Sequence, residues 1–164
     1  MRVAHQSPPF QCAGFSLIEL MVVVALVAIF ASLAAPNMSR FVASQRVKTT
    51  AYDLATSLLL ARSEALKRNQ NVTVAPTDST AGWAGGWQVV ATKTGGTDTV
   101  ATQSAATGVT FGASGMAAPA SVVYSGTSGR PSAVAKFQLS ADTTIKCVKV
   151  DLAGVTTTTN GACT

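Results

Sequence analysis

The chain has 164 residues, of which 48% are hydrophobic and 12% are charged, and its formal net charge at pH 7 is +5. Residues 71–164 leave room for one small globular domain and exclude a second one. The positive charge is concentrated before that domain: residues 37–70 hold six basic and two acidic side chains, whereas residues 71–164 hold five and four. Such a basic segment suits contact with an anionic membrane or with nucleic acid.

Residues 1–14 are predicted to be a leader peptide. They are short and polar, and two consecutive prolines oppose helix formation. A small-residue cleavage site at residues 12–14 stands before the apolar run, whereas a secretory signal places this site after the run. The same order excludes a lipoprotein site at Cys12, since no hydrophobic region precedes that cysteine. Cleavage after Gly14 would therefore keep the apolar segment in the mature protein.

Residues 15–36 are predicted to form a membrane-spanning helix. At about 1.5 Å per residue, the apolar run from Phe15 to Ala35 reaches about 31 Å, the thickness of a hydrocarbon core. Glu19 is the one ionisable residue in this run. A charge near the middle of a bilayer costs about 2.5 to 3.5 kcal/mol on insertion scales, so an acidic residue there usually has a partner. A plain anchor helix that happens to contain a glutamate is the alternative interpretation.

Residues 14–20 read Gly-Phe-Ser-Leu-Ile-Glu-Leu, which resembles the class III leader of type IV pilins and type II secretion pseudopilins. The resemblance implies that a prepilin peptidase cleaves between Gly14 and Phe15 and methylates the new amine of Phe15. Glu19 would then be the fifth residue of the mature chain. In this family that carboxylate meets the terminal amine of a neighbouring subunit, which supplies a countercharge inside the apolar filament core.

The basic residues and the cysteines give opposite indications about orientation. Three basic residues within residues 40–48 follow the apolar run, so the positive-inside rule alone favours a cytoplasmic carboxyl-terminal part. Removal of the leader, as the resemblance implies, takes Cys12 away and leaves Cys147 and Cys163. We expect these two to form a disulfide, with two free thiols as the alternative. A disulfide implies an oxidising compartment, so we expect a single-pass protein of the bacterial inner membrane with a periplasmic head.

Residues 37–70 predict an amphipathic continuation of the helix. Its apolar residues recur at steps of three and four and therefore share one face: Val47, Ala51, Leu54, Leu58, Ala61 and Ala65. Pro36 is expected to bend the helix rather than end it, because strong helix formers follow, so one long helix is predicted from Phe15 to about Arg68. Residues 61–69, followed by a Val-Thr-Val strand, also resemble the GspH/FimT branch of minor pilins and pseudopilins.

Residues 71–164 predict an antiparallel β head, and the GspH/FimT resemblance extends into it through residues 129–132 and 137–139. Trp83 and Trp87 are predicted core residues, with a sugar-binding or base-stacking platform as the alternative. Residues 156–161 are predicted to be a low-complexity loop held by the disulfide. The expected strands lie at residues 72–75, 87–92, 109–112, 122–125, 136–139 and 145–152. The fold class is therefore α+β and type IV pilin-like, with a long N-terminal helix packed on an antiparallel sheet.

No catalytic residue, metal site or cofactor is predicted. The mature chain would contain no histidine, since His5 lies in the leader, and it has no nucleophile elbow and no phosphate-cradling glycine loop. A calcium site would need several oxygen ligands that converge, but the acidic residues Asp78, Asp98, Asp142 and Asp151 are scattered.

The resemblance implies a non-catalytic structural subunit, and three functions follow from it. The first is a minor type IV pilin that helps to initiate or cap a pilus, with a prepilin peptidase, other minor and major pilins, and the inner membrane as partners. The second is a GspH-type minor pseudopilin of type II secretion; the expected disulfide favours the pilus.

The third is a FimT-type DNA-binding pilin for natural transformation, whose Gly-Arg-x-Arg motif is half present: Gly129 and Arg130 match, but Ser132 occupies the place of the second arginine. The candidate DNA contacts are Arg130, Lys136, Lys146 and Lys149, with a solvated strand face as the alternative.

Overall fold

A computed structural model of the chain describes residues 15–112 and 118–164, with backbone alone for residues 33–37. Cys12 and Gly14 therefore lie outside the described residues. The chain divides into two compact units, Met1–Met38 and Ser39–Thr164. In the first unit the described residues form helix, and the second unit contains helix and all eight strands of the described residues.

Helix α1 runs from Leu17 to Arg68 and continues through position 36, so the predicted single long helix is present but begins two residues later than Phe15. Its carboxyl end has a Schellman geometry, because Asn69 adopts a left-handed φ of 50° and the N–H groups of Asn69 and Gln70 donate to the carbonyls of Leu66 and Ala65. The predicted apolar face is confirmed, since all six of its residues have no exposed surface: Val47, Ala51, Leu54, Leu58, Ala61 and Ala65.

Two four-stranded antiparallel sheets complete the second unit. The first has the order β3-β2-β1-β5, with β1 at Val72–Pro76, β2 at Trp87–Lys93, β3 at Gly96–Gln103 and β5 at Val122–Tyr124. The second has the order β4-β6-β7-β8, with β4 at Thr110–Phe111, β6 at Ala135–Ala141, β7 at Thr144–Val150 and β8 at Thr156–Asn160. Side chains from α1 and from both sheets form one buried apolar cluster, so the predicted α+β class is confirmed.

The two tryptophans belong to this core, as predicted. Trp83 lies in a short 3-10 helix, Gly82–Gly85, and its ring packs edge-on against Phe137 with 4.7 Å between the ring centroids. Its indole N–H donates to the carbonyl of Pro119 at 2.6 Å. Trp87 is buried as well, so neither ring offers an open stacking face.

The prediction of a loop at residues 156–161 is wrong, because residues 156–160 form strand β8. Four consecutive threonines have the β-branched side chains that strands favour, but they lack the apolar and polar alternation by which a strand is recognised. Strand β3 was also not predicted, for a related reason: it lies at a sheet edge and buries few side chains. Of the predicted strands, 109–112 is shorter in the structure and 145–152 ends earlier, at Val150.

Candidate functional site

Glu19 lies in the first turn of α1, beside the residue that caps the helix. The backbone N–H of Glu19 donates to the Ser16 hydroxyl oxygen at 3.2 Å, and the first helical bond runs from the N–H of Leu20 to the carbonyl of Ser16. Ser16 is therefore the N-cap, and Glu19 holds the third helical position, where a capping box places Glu or Gln. A carboxylate here also interacts favourably with the helix dipole.

Within residues 15–32, almost all exposed side chains are apolar. Phe15 is 81% exposed, Leu17 78% and Ile18 66%, and the large apolar residues that follow up to Phe30 are all exposed. A contiguous apolar surface of this kind marks a site of contact with other proteins or with membrane. Within residues 15–112 and 118–164, no helix of the structure meets the length and apolarity that a membrane crossing requires.

A second exposed apolar stripe follows the helix within the Ser39–Thr164 unit. It consists of Tyr52, Leu59 and Leu66, which are 61%, 51% and 50% exposed. They are seven residues apart, so they align along α1 about a third of a turn from the buried face. The spacing that predicts the buried face does not include these three residues. The signal in the sequence that could have identified them is their seven-residue spacing.

A charged cluster joins the end of α1 to strand β3. The Glu64 carboxylate accepts hydrogen bonds from Arg68 Nε at 2.6 Å and Lys67 Nζ at 3.3 Å, and the Arg68 guanidinium also bonds the Asp98 carboxylate. The hydrogen bond from Arg68 is the main cause that lowers the pKa of Glu64 and that of Asp98 below their ordinary values. The cluster thus links α1 to β3, and both of its carboxylates are paired with basic side chains. It was not predicted from the sequence because β3, which carries Asp98, was not predicted.

The predicted disulfide between Cys147 and Cys163 is present. Cys147 lies in β7, and the bond draws the last residues of the chain back over the outer face of the second sheet. There the N–H of Cys163 donates to the side-chain oxygen of Gln138 at 3.1 Å, and both residues are buried. The disulfide therefore covers a polar strand position that would otherwise face water.

The four candidate DNA contacts lie in different settings. Lys136 on β6 stands directly opposite Lys149 on β7, on the outer face of the second sheet. Lys146 is opposite Leu139, on the face that carries the buried valines of β7, so the strand alternation separates it from the other two lysines. Arg130 is exposed in the loop between β5 and β6. The sheet thus brings two of the four cations together.

The glycine before Arg130 has a packing role. Gly129 has a φ of +63°, and a Cβ added there would lie 2.9 Å from the side chain of Leu66. Beside it, Arg62 donates from its guanidinium to the carbonyl of Gly154 at 2.7 Å, and a Cβ at Gly154 would lie 2.8 Å from the carbonyl of Gly129. These contacts fix the loops after β5 and β7 to the end of α1 without involving the Arg130 side chain.

Within the described ranges, no three His, Cys, Asp or Glu side chains come close enough to hold a metal ion.

Comparison with known proteins gives a consistent result. Residues 50–154 match the family model described as type II transport protein GspH, and residues 10–35 match the prokaryotic N-terminal methylation motif. Crystal structures of the type IV minor pilin FimU from Pseudomonas aeruginosa PAO1, in space groups P21 and P65, are similar in fold, with TM-scores of 0.56 and 0.55 at 15% sequence identity. These alignments cover 69% and 68% of this chain, and 87% and 91% of FimU. No curated protein matches the chain.

Proposed function

Because the chain belongs to the GspH family of pilins and pseudopilins and carries the N-terminal methylation motif, we propose that it is a minor type IV pilin that helps to initiate or cap a pilus. One observation carries the proposal: an apolar helix start is exposed on all sides and contains a single carboxylate, Glu19. Such a surface is stable only in lipid or against other apolar helices.

The proposed assembly mechanism begins with cleavage after Gly14 by a prepilin peptidase, which frees the amine of Phe15 for methylation. In lipid the Glu19 carboxylate then lacks a countercharge, which is costly. In the growing filament the amine of a neighbouring subunit supplies that charge, so insertion in register is favoured over staying in the membrane. Burial of each large apolar side chain away from water contributes about 1.5 to 3 kcal/mol, but this gain is nearly the same in lipid and in the filament, because both are apolar. The pair between Glu19 and the neighbouring amine therefore determines the register.

The Tyr52, Leu59 and Leu66 stripe supports the same proposal, because its spacing suits a helix of another subunit lying along α1. The disulfide supports a head that matures in an oxidising compartment, which we assign to the periplasm. The proposed partners are therefore the peptidase, other minor and major pilins, and the inner membrane.

The test is the variant Glu19→Gln, because glutamine preserves the capping position and removes only the charge. We expect leader cleavage to continue and the amount of this chain in sheared surface filaments to fall severalfold. Asp53→Asn is the matched control, since it removes one carboxylate from a later turn of the same helix. Glu19→Gln incorporation at the wild-type level would contradict the mechanism.

A minor pseudopilin of type II secretion is the second candidate, favoured by the family model, whose description is a type II transport protein. Both assemblies would use the leader and helix in the same way, so Glu19 does not distinguish them. Export of secreted proteins from a deletion strain does: loss of export with normal pili supports the pseudopilin.

DNA uptake is the third candidate function, supported by the facing pair Lys136 and Lys149. With so few cations the affinity should be weak and fall steeply with salt. Retention of DNA by the double variant Lys136→Ala and Lys149→Ala at the wild-type level would exclude this function.

A further inference from the structure

Strand β8 ends the second sheet, and the backbone groups along its outer edge have no partner among residues 15–112 and 118–164. The N–H of Gly161 donates to the carbonyl of Ile145 at 3.0 Å, and the N–H of Asp151 donates to the carbonyl of Val155 at 3.1 Å. Because hydrogen-bonded pairs alternate along an antiparallel ladder, the odd-numbered residues of β8 bond to β7. The N–H and C=O groups of the even-numbered residues therefore point away from the sheet: Thr156, Thr158 and Asn160. No described strand pairs with that side of β8.

The other three edge strands carry the usual protection against pairing with another chain. Strand β3 contains the extra residue Val100 where its register with β2 shifts between Val89 and Val90, and it contains the charged Asp98. Strand β4 has two residues, and β5 has three and is bridged by Pro131. Strand β8 has no charge, no proline and an unbroken register with β7. Since natural proteins protect exposed edges with such features, an edge without them indicates a site where another strand binds.

The charge of the second sheet indicates which kind of strand would bind at the edge of β8. The four strands of the second sheet contain three lysines and no acidic residue: Lys136, Lys146 and Lys149. Lys149 stands directly opposite Thr157 of the edge strand, within reach of side chains on a strand added beyond it. A second copy of this chain would bring the same outer-face lysines, Lys136 and Lys149, so like charges oppose self-pairing, whereas an acidic strand gains from Lys149.

We propose that β8 is a docking edge that receives an extended, acidic strand from a different pilin or pseudopilin subunit. The identity of the partner as a fellow subunit rests on the proposed function. The backbone of the added strand bonds the N–H and C=O groups of Thr156, Thr158 and Asn160, and its acidic side chains approach Lys149 on the neighbouring strand β7. The head is thereby joined to its neighbour through the sheet, independently of α1.

The first test uses hydrogen exchange on the full processed chain in detergent. The probe is the peptide acetyl-Val-Asp-Val-Asp-Val-Asp-Thr-amide at saturating concentration, and the control peptide has lysine in place of each aspartate. We expect the acidic peptide to slow exchange of the Thr156, Thr158 and Asn160 amides about tenfold, the equivalent of about one backbone hydrogen bond. The amides of Thr157 and Thr159 should not change, because they already bond β7. No slowing with the acidic peptide, or equal slowing with both peptides, would overturn the proposal.

The second test separates this proposal from the proposed function. Thr158→Pro removes an outward N–H without removing a bond to β7, and Thr158→Val keeps that N–H as the matched control. We expect Thr158→Pro to reduce incorporation into sheared filaments severalfold and Thr158→Val to leave it unchanged. If Thr158→Pro destabilises the head, Lys149→Glu is the substitute, with Lys93→Glu in the first sheet as its control.

If Thr158→Pro is incorporated at the wild-type level while Glu19→Gln is not, strand addition at β8 is refuted and the proposed assembly function is not. Wild-type incorporation of both variants would refute the assembly function as well.

Discussion

The disulfide is expected to supply a large share of the stability of the head. Cys147 and Cys163 are 16 residues apart in sequence, and in the chain-entropy model a closed loop of that length destabilises the unfolded state by about 3 kcal/mol. In a domain of this size, 1 kcal/mol shifts the melting temperature by about 3 to 6 °C, so loss of the bond should lower it by about 9 to 18 °C.

The perturbation is the double variant Cys147→Ala and Cys163→Ala, which avoids a leftover thiol. The assay is thermal unfolding of the full processed chain in detergent, followed by near-ultraviolet circular dichroism of the buried Trp83 and Trp87. Reduced wild-type protein serves as the control and should melt with the double variant. An unchanged melting temperature in both samples would refute the reasoning, because the bond would then not constrain the unfolded chain.

Three further predictions concern the core, the pH dependence and the leader. Leu58→Ala, at a fully buried helix position, should lower the unfolding free energy by about 2 to 5 kcal/mol in denaturant titration, whereas Leu59→Ala at the exposed neighbour should change it little. Burial raises the pKa of Tyr124 to about 12 from its ordinary 10.0, so the contribution of Tyr124 to the unfolding free energy is fully present below pH 10 and falls by about 2 to 3 kcal/mol as the pH rises toward 12. Tyr124→Phe should show a smaller fall in denaturant titrations across this pH range, and an equal fall in both proteins would contradict the prediction. Gly14→Val should leave uncleaved precursor in the membrane fraction on immunoblots, and normal processing would exclude the leader assignment.

The helix and the cysteine pair were predictable because each has a strong signal in sequence. The buried residues of α1 repeat at steps of three and four from Val47 to Ala65, and an α-helix places residues with this spacing on one face. Two of the three cysteines follow the apolar run, and the disulfide joins these two. The helix signal arises from the local spacing of apolar residues, and the disulfide signal arises from the small number of cysteines.

The face on which each lysine lies was not predictable, because it depends on register. The β6–β7 hairpin turns through Asp142, whose left-handed φ of 51° helps to set the pairing of Ala141 with Thr144. That register puts Lys149 opposite Lys136 and puts Lys146 on the other face, and a slip of one residue would exchange the faces. Sequence alone gives the cations but not which of them share a surface.

The edge strand β8 was missed for a different physical reason. A strand at an edge, with polar threonines on both faces, buries too little surface to impose an apolar pattern on its sequence. Its formation depends on the ladder with β7 and on the disulfide that holds the residues after it. The exposed edge of β8 is thus visible in the structure and not in the sequence pattern.

The proposed minor-pilin function is tested by the amount of pilus sheared from cells that lack this chain, compared with the wild type and with strains complemented by wild-type or Glu19→Gln protein. The proposed minor-pilin function predicts loss of surface pili, restoration by the wild-type chain and failure of restoration by Glu19→Gln. Unchanged pili in the deletion strain would contradict it.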